Sequence, residues 1–292
     1  DGIRDQPRSR GLGDVYKRQV LNSMVVIPSG NLEIIESTLQ QDRDIAAVIL
    51  EPTGAHYGQL PFNIPRYLSG LRELTSQYGV VLIFDEVVTG FRASPGGAQE
   101  LYGVSPDLTT MAKIVAGALP GGVVGGKADI IDMMSHKGES EWDNNERVYH
   151  PGTFNANPLS AAAGYTCLEL LANQPINQIA DHMAIRLKTG LNEIFARTEI
   201  SGHAHGIASM IHVVLDDCDC NREICTMDHQ HIKDVTATPL VTALKRGLVN
   251  NGVDIMGRDT FLVSSVHTES DIDITLDAFE KTLASMRDDG LV

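Results

Sequence analysis

Residues 80–126 read VVLIFDEVVTGFRASPGGAQELYGVSPDLTTMAKIVAGALPGGVVGG, and this stretch decides the fold. It opens on five apolar residues that end at Asp85-Glu86, crosses a Gly/Pro/Ser loop, and reaches Lys113 among small residues. The run Val80 to Phe84 is too short and too β-branched for a helix. It predicts a fully buried parallel strand that carries Asp85 and Glu86 to its carboxyl end. Open α/β sheets bind ligands at that edge. Lys113 is followed by Ile114, Val115 and Ala116, with no other charge through Gly126. An apolar surround of this kind is expected to desolvate the amine, lower its pKa and make it nucleophilic.

Around this stretch, apolar spacing predicts helices over 31–40, 65–78, 157–172, 176–196 and 239–250, and strands over 45–50, 121–125, 210–215 and 261–266. Alternation of this kind specifies an α/β fold with a mostly parallel sheet. Glu51-Pro52 and Asp85-Glu86 then place acidic groups along one sheet edge, where a cofactor cleft fits. Residues 135–149 are polar and read as a surface excursion. Asn157-Pro158 is a helix start signal, and the alanine-rich segment behind it reads as a long helix connecting two domains. The last helix begins at Thr268-Glu269-Ser270-Asp271, an approximate capping box with acidic residues in its first turn, and runs to about residue 287.

With 292 residues and 42% hydrophobic composition, the chain can bury one large or two ordinary domains. A net charge of −15 disfavours nucleic acid and anionic membrane surfaces, whose phosphates select clustered Lys and Arg. The longest weakly polar run, 114–126, is Gly-rich, broken by Pro120 and too short to span a bilayer. Four cysteines outside any small secreted framework fit reduced thiols in a cytoplasm. Residues 1–19 differ in composition, with five basic residues against three acidic, and leave the remainder at −17. The segment 9–19, SRGLGDVYKRQ, resembles a translated sequencing adapter, so residues 1–19 are set aside as an artefact or a disordered leader, with the gene continuing upstream.

Two rival sites deserve comparison. Gly121 to Lys127 nearly fits a phosphate loop, but Ala128 stands where a Ser or Thr must hold magnesium, and the segment follows the acidic strand instead of preceding it. Cys218, Cys220, Cys225, His229 and His231 crowd together, yet their spacing fits neither paired C-x-x-C nor a finger, so they read as a polar loop and no metal is expected. Thr153 lies in HPGTFNANP, an ordinary turn whose hydroxyl and free amides suit a phosphate.

Three blocks in order, FDEVVTGFR, SPDLTTMAK and HPGTFNANPLSAAAG, resemble the class III aminotransferases, pyridoxal-phosphate enzymes of fold type I, and among them the glutamate-1-semialdehyde aminomutase branch. The resemblance runs from about residue 20 to the C-terminus. It implies a large cofactor-binding domain over 20–165, incomplete because the family's N-terminal third is absent, and a smaller α/β domain over 166–292. It also implies pyridoxal 5'-phosphate as cofactor, a small amine or amino acid as substrate, and a homodimer. By position, Asp85 falls on the residue that pairs with the pyridinium nitrogen. Lys113, 28 residues downstream, falls on the Schiff-base lysine, with Lys127 as the competing amine. Val87 matches the residue packed behind the ring, and Val88 the position beside the phenolic oxygen. Thr153 matches the threonine that reaches the partner's cofactor phosphate.

Two departures narrow the implied reaction. His56 stands where many relatives carry a glutamate that gates the substrate, and Val88 where many carry a glutamine. Both favour an aminomutase over a transaminase that alternates amine and keto acid; a non-catalytic fragment of the fold is the remote alternative. Asp259 aligns only loosely with a functional glutamate of the aminomutases and is not counted in the site.

Overall fold

The structure is a computed structural model that describes residues 23–28, 30–53, 64–216, 239–257 and 259–292. Its first sheet runs β1 (Ala47–Leu50), β2 (Val81–Asp85), β3 (Leu108–Ala112) and β4 (Gly122–Gly126), adjacent in that order. β1, β2 and β3 are parallel, while β4 returns antiparallel to β3. Two helices, α1 (Leu32–Gln41) and α2 (Ile64–Tyr78), supply the residues that cover it. Asn31 starts α1 by accepting hydrogen bonds from the Glu33 and Ile34 amides, which satisfies two of the orphan donors of the first turn. Ile35 and Leu39 of α1 then bury with Leu68 and Leu71 of α2 onto Leu82 and Phe84 of β2.

That packing corrects one expectation. β2 is half-buried, not fully buried: Leu82 and Phe84 are completely enclosed, whereas Val81, Ile83 and Asp85 between them are only partly covered. Side chains alternate across a strand, and among the described residues the helices enclose only one of its faces.

Beyond β2 a loop leads to the short α3 (Gly97–Tyr102), and beyond β3 a single 3-10 turn, Lys113–Ala116, ends at Gly117 in the left-handed region (φ 58°). α4 (Pro158–Asn173) lies across this turn with its backbone in direct approach. A Cβ added at Gly164 would run into the Val115 carbonyl, and one at Gly117 into that of Ala163. Asn157 caps α4 through its side chain, accepting from the Leu159 and Ser160 amides at 3.0 and 3.2 Å.

α4 runs unbroken from Pro158 to Asn173. The second apolar core is built from α5 (Ile176–Thr198), α6 (Pro239–Asn250) and α7 (Glu269–Asp288) against an antiparallel sheet of β5 (His203–Ile207), β6 (Met210–Val214) and β7 (Thr260–Leu262). Phe195 and Phe279 meet edge to face there at 5.4 Å. The capping box forms between Thr268 and Asp271. Among the described residues no helix is long and apolar enough to cross a membrane.

Candidate active site

The parallel pairing of β2 with β3 brings the two principal candidates to one edge. Asp85 ends β2 opposite Thr110, and β3 continues two residues further before Lys113 begins the 3-10 turn. A carboxylate and an amine thus leave the carboxyl ends of neighbouring strands, which stand about 4.8 Å apart. Asp85 Oδ1 accepts a hydrogen bond from the Val87 amide at 3.0 Å. That bond closes a tight turn and fixes the carboxylate at the strand end.

Glu86 behaves differently although it is adjacent. It is 1% exposed, and its carboxylate accepts from the Ala98 amide at 2.6 Å, the Thr89 hydroxyl at 3.0 Å and the Gln99 side chain at 3.0 Å. With its oxygens occupied, Glu86 is a clamp holding the loop to the start of α3. The Asp-Glu pair therefore divides into one group at the edge and one inside the protein.

Lys113 departs from the expected desolvated setting. It is exposed, because the apolar residues after it are used to seat the turn on α4: Ala116 is buried, and Ile114 and Val115 are half-buried. Its backbone sits at φ 56°, a left-handed conformation that costs a side-chain-bearing residue roughly 1–2 kcal/mol. Such strain collects at functional sites when surrounding structure enforces it.

Lys127, the competing amine, is ion-paired to Asp107. Asp107 also accepts from Arg72 at 2.9 Å and from the Leu82 amide at 2.7 Å. Burial alone would raise its carboxyl pKa, but the hydrogen bonds from Leu82, Lys127 and Arg72 prevail and hold it below the ordinary carboxylate value. The Gly-rich segment before Lys127 forms β4, antiparallel to β3. It is a sheet strand, and no phosphate-cradling loop is formed there.

Val87 is half-buried at the turn beyond Asp85, and Val88 is buried with Ala93, Ala98 and Met210 where the loop meets β6. Thr153 is exposed in the loop that precedes α4. Asp259, 5% exposed, lies just before β7 and accepts from the Thr260 hydroxyl. His56 and the Cys218–His231 group fall outside the described residues. Among those described, no group of three or more His, Cys, Asp or Glu can hold a metal.

A groove of about 900 Å³ opens beside the lysine, lined by Lys113, Ile114, Leu119 and Pro120 and by Ala163 and Cys167 of α4. A smaller hollow of about 360 Å³ lies beside Glu86, Thr109 and Gly126. Neither contains both Asp85 and Lys113, so the strand ends, not the hollows, define the site. Arg92, which sequence reasoning passed over, emerges as the chief tie between the 86–98 loop and the second sheet. The signal available was a lone arginine in a loop otherwise free of cations. The donor set of one edge carboxylate and one accessible amine fits an aromatic aldehyde carrying a protonatable ring nitrogen.

A family model described as Aminotransferase class-III matches residues 19–283. The chain is 35% identical over 289 residues to a glutamate-1-semialdehyde 2,1-aminomutase of Methanococcoides burtonii, covering 95% of this chain and 62% of that protein. It is also 35% identical to glutamate-1-semialdehyde 2,1-aminomutase 2 of Brevibacillus brevis, over 88% of this chain and 57% of the relative. Among solved structures, an omega-transaminase from Sphaerobacter thermophilus superposes with a TM-score of 0.82 at 30% identity, covering 96% of this chain and 60% of that one. A glutamate-1-semialdehyde aminomutase from Pseudomonas aeruginosa PAO1 shares the fold at a TM-score of 0.75 and 20% identity, over 90% of this chain and 56% of its own. The chain therefore spans about three fifths of the length of these relatives. A family match over nine tenths of its residues, on a sheet edge that carries a carboxylate and an amine, makes this chain a member of the class III aminotransferase family.

Proposed function

We propose that the whole protein moves an amino group with pyridoxal phosphate, in the manner of a glutamate-1-semialdehyde 2,1-aminomutase, as a homodimer in the cytoplasm. The observation that carries this reading is the register of β2 and β3, which brings Asp85 and Lys113 to one edge. Pyridoxal phosphate, when bound, supplies an electron sink for a carbon that has lost a proton. Lys113 would hold it through its amine and, once released, would carry a proton between the substrate carbon and the cofactor's aldehyde-derived carbon. Asp85, held by the Val87 amide, would keep the ring nitrogen protonated through its negative charge. Val87 would pack behind the ring with Val88 beside it, and Thr153 would reach the phosphate in the partner's site. Four cysteines support the reducing compartment.

The test loads full-length protein with pyridoxal phosphate, reduces it with borohydride and maps the modified peptide. The label is expected on Lys113. A label on Lys127, or one that persists in Lys113→Ala, overturns the assignment.

A second reading, a class III transaminase for an amine and a keto acid, is favoured by the 30% identity to the omega-transaminase. Glutamate-1-semialdehyde supplied alone separates the two. Turnover without any added donor or acceptor supports the aminomutase, and turnover only with both present supports the transaminase.

A further inference from the structure

We propose that Arg92 is a positioning residue that fixes the 85–93 loop to the second sheet, so that the placement of Asp85 depends on the C-terminal unit. This rests on the functional reading above and names a control on that same site. Arg92 Nη1 donates to Ser209 Oγ at 2.9 Å and to the Val263 carbonyl at 3.1 Å. Those partners are 117 and 171 residues away in sequence, one between β5 and β6 and the other directly after β7. Both are nearly enclosed, Ser209 at 2% and Val263 at 3% exposure.

The grip is reinforced from α5. Asn177 Nδ2 donates to the carbonyls of Phe91 and Arg92 at 2.9 and 3.3 Å. Phe91 has φ 60°, a conformation that a bulky residue keeps only where its surroundings enforce it. Asp181, also on α5, offsets the guanidinium's burial by charge: burial pushes the Arg92 pKa down, and Asp181 opposes it. Val88 and Ala98 on the loop bury with Met210 of β6.

The loop is itself braced, so a displacement at Arg92 is passed along it. The Arg92 amide donates to the Thr89 carbonyl and the Gly90 amide to the Glu86 carbonyl. The Thr89 hydroxyl donates to the Glu86 carboxylate, and Glu86 follows Asp85 directly. Arg92, Thr89 and Glu86 thus connect Ser209 and Val263 to Asp85, whose carboxylate stands at the cofactor edge. An arginine suits this post because the two hydrogens on Nη1 are fixed in the guanidinium plane, which sets the directions of both bonds.

The test compares full-length wild type with Arg92→Gln, Arg92→Lys and the milder Ser209→Ala. Three quantities are read: amide hydrogen exchange of 85–93 before cofactor is added, pyridoxal-phosphate affinity, and the pH midpoint of the bound cofactor's visible band. Arg92→Gln is expected to speed exchange in 85–93, weaken affinity roughly tenfold and move the pH midpoint by about half a unit or more. Arg92→Lys should recover part of each change, and Ser209→Ala should move all three the same way by less. If Arg92→Gln lowers only the melting temperature, leaving exchange, affinity and midpoint at wild-type values, the proposal is overturned. Should Arg92→Gln fail to fold, Ser209→Ala decides alone, and unchanged readings there overturn it equally. If wild type takes no cofactor at Lys113, the functional reading falls instead. The exchange arm still decides whether Arg92 governs the loop.

Discussion

Lys127 Nζ lies 2.6 Å from Asp107 Oδ1, and this contact separates the chain's two neighbouring lysine candidates by role. Lys127 is engaged in holding β4 beside β3, whereas Lys113 stands exposed at the strand edge. Asp107 gathers three donors while only 6% of its side chain is exposed. Asp107→Ala should therefore cost about 3 kcal/mol, through the buried Leu82 amide and the Arg72 guanidinium left without their acceptor. Lys127→Met should cost less than about 1 kcal/mol, because that amine is 59% exposed and regains water. Urea unfolding of the two variants measures both. A larger loss for Lys127→Met would contradict this account.

Strain at Lys113 gives a prediction that is independent of activity. At φ 56° the backbone favours glycine. Lys113→Gly should therefore be more stable than Lys113→Ala by about 1 kcal/mol. Both variants lose the amine and should take no borohydride label. Equal stability of the two would mean that the left-handed conformation is not maintained in solution.

Gly164 tests whether α4 sets the lysine turn. A methyl group there would meet the Val115 carbonyl, a backbone atom that cannot rotate away. Gly164→Ala should cost about 2 kcal/mol by overpacking and shift the turn that carries Lys113. Label incorporation at Lys113 in the full-length protein should fall with it. Gly125→Ala, on β4 with open space around it and no left-handed backbone, serves as the comparison and should leave the label unchanged.

Much of the fold was legible because periodicity and punctuation agreed. The helix over Pro239–Asn250 and the Asn157 cap followed from apolar spacing and an Asn-Pro start. β5 was missed because HAHGI has no alternation of β-formers, and its strand character comes from pairing with β6. At the site, Asp85 and Lys113 were readable as a strand end and an isolated amine. The exposure of Lys113 was not, because sequence adjacency to apolar residues does not show that those residues face α4. Nor was the role of Arg92, whose partners lie more than a hundred residues away and meet it only once the loop after β2 packs against the second sheet.

The second sheet should lose stability in acid through a buried histidine. His212 is 1% exposed on β6, with Nδ1 3.1 Å from the Thr260 hydroxyl and its ring 5.8 Å from that of His205. Burial, and secondarily the charge of His205, pulls its pKa down from 6.5 to about 3. In the folded chain the ring therefore stays neutral between those values, while in the unfolded chain it takes a proton below 6.5. The unfolded state binds more protons in that window, so stability is complete above it and declines as pH falls through it. One such group contributes a slope of about 1.4 kcal/mol per pH unit. In His212→Gln the unfolding free energy should vary less steeply between about pH 4 and about pH 6, by roughly one proton's worth. The comparison of slopes cancels the fixed cost of replacing a buried ring. An unchanged slope would show that His212 is already protonated in the folded chain or remains neutral in the unfolded one.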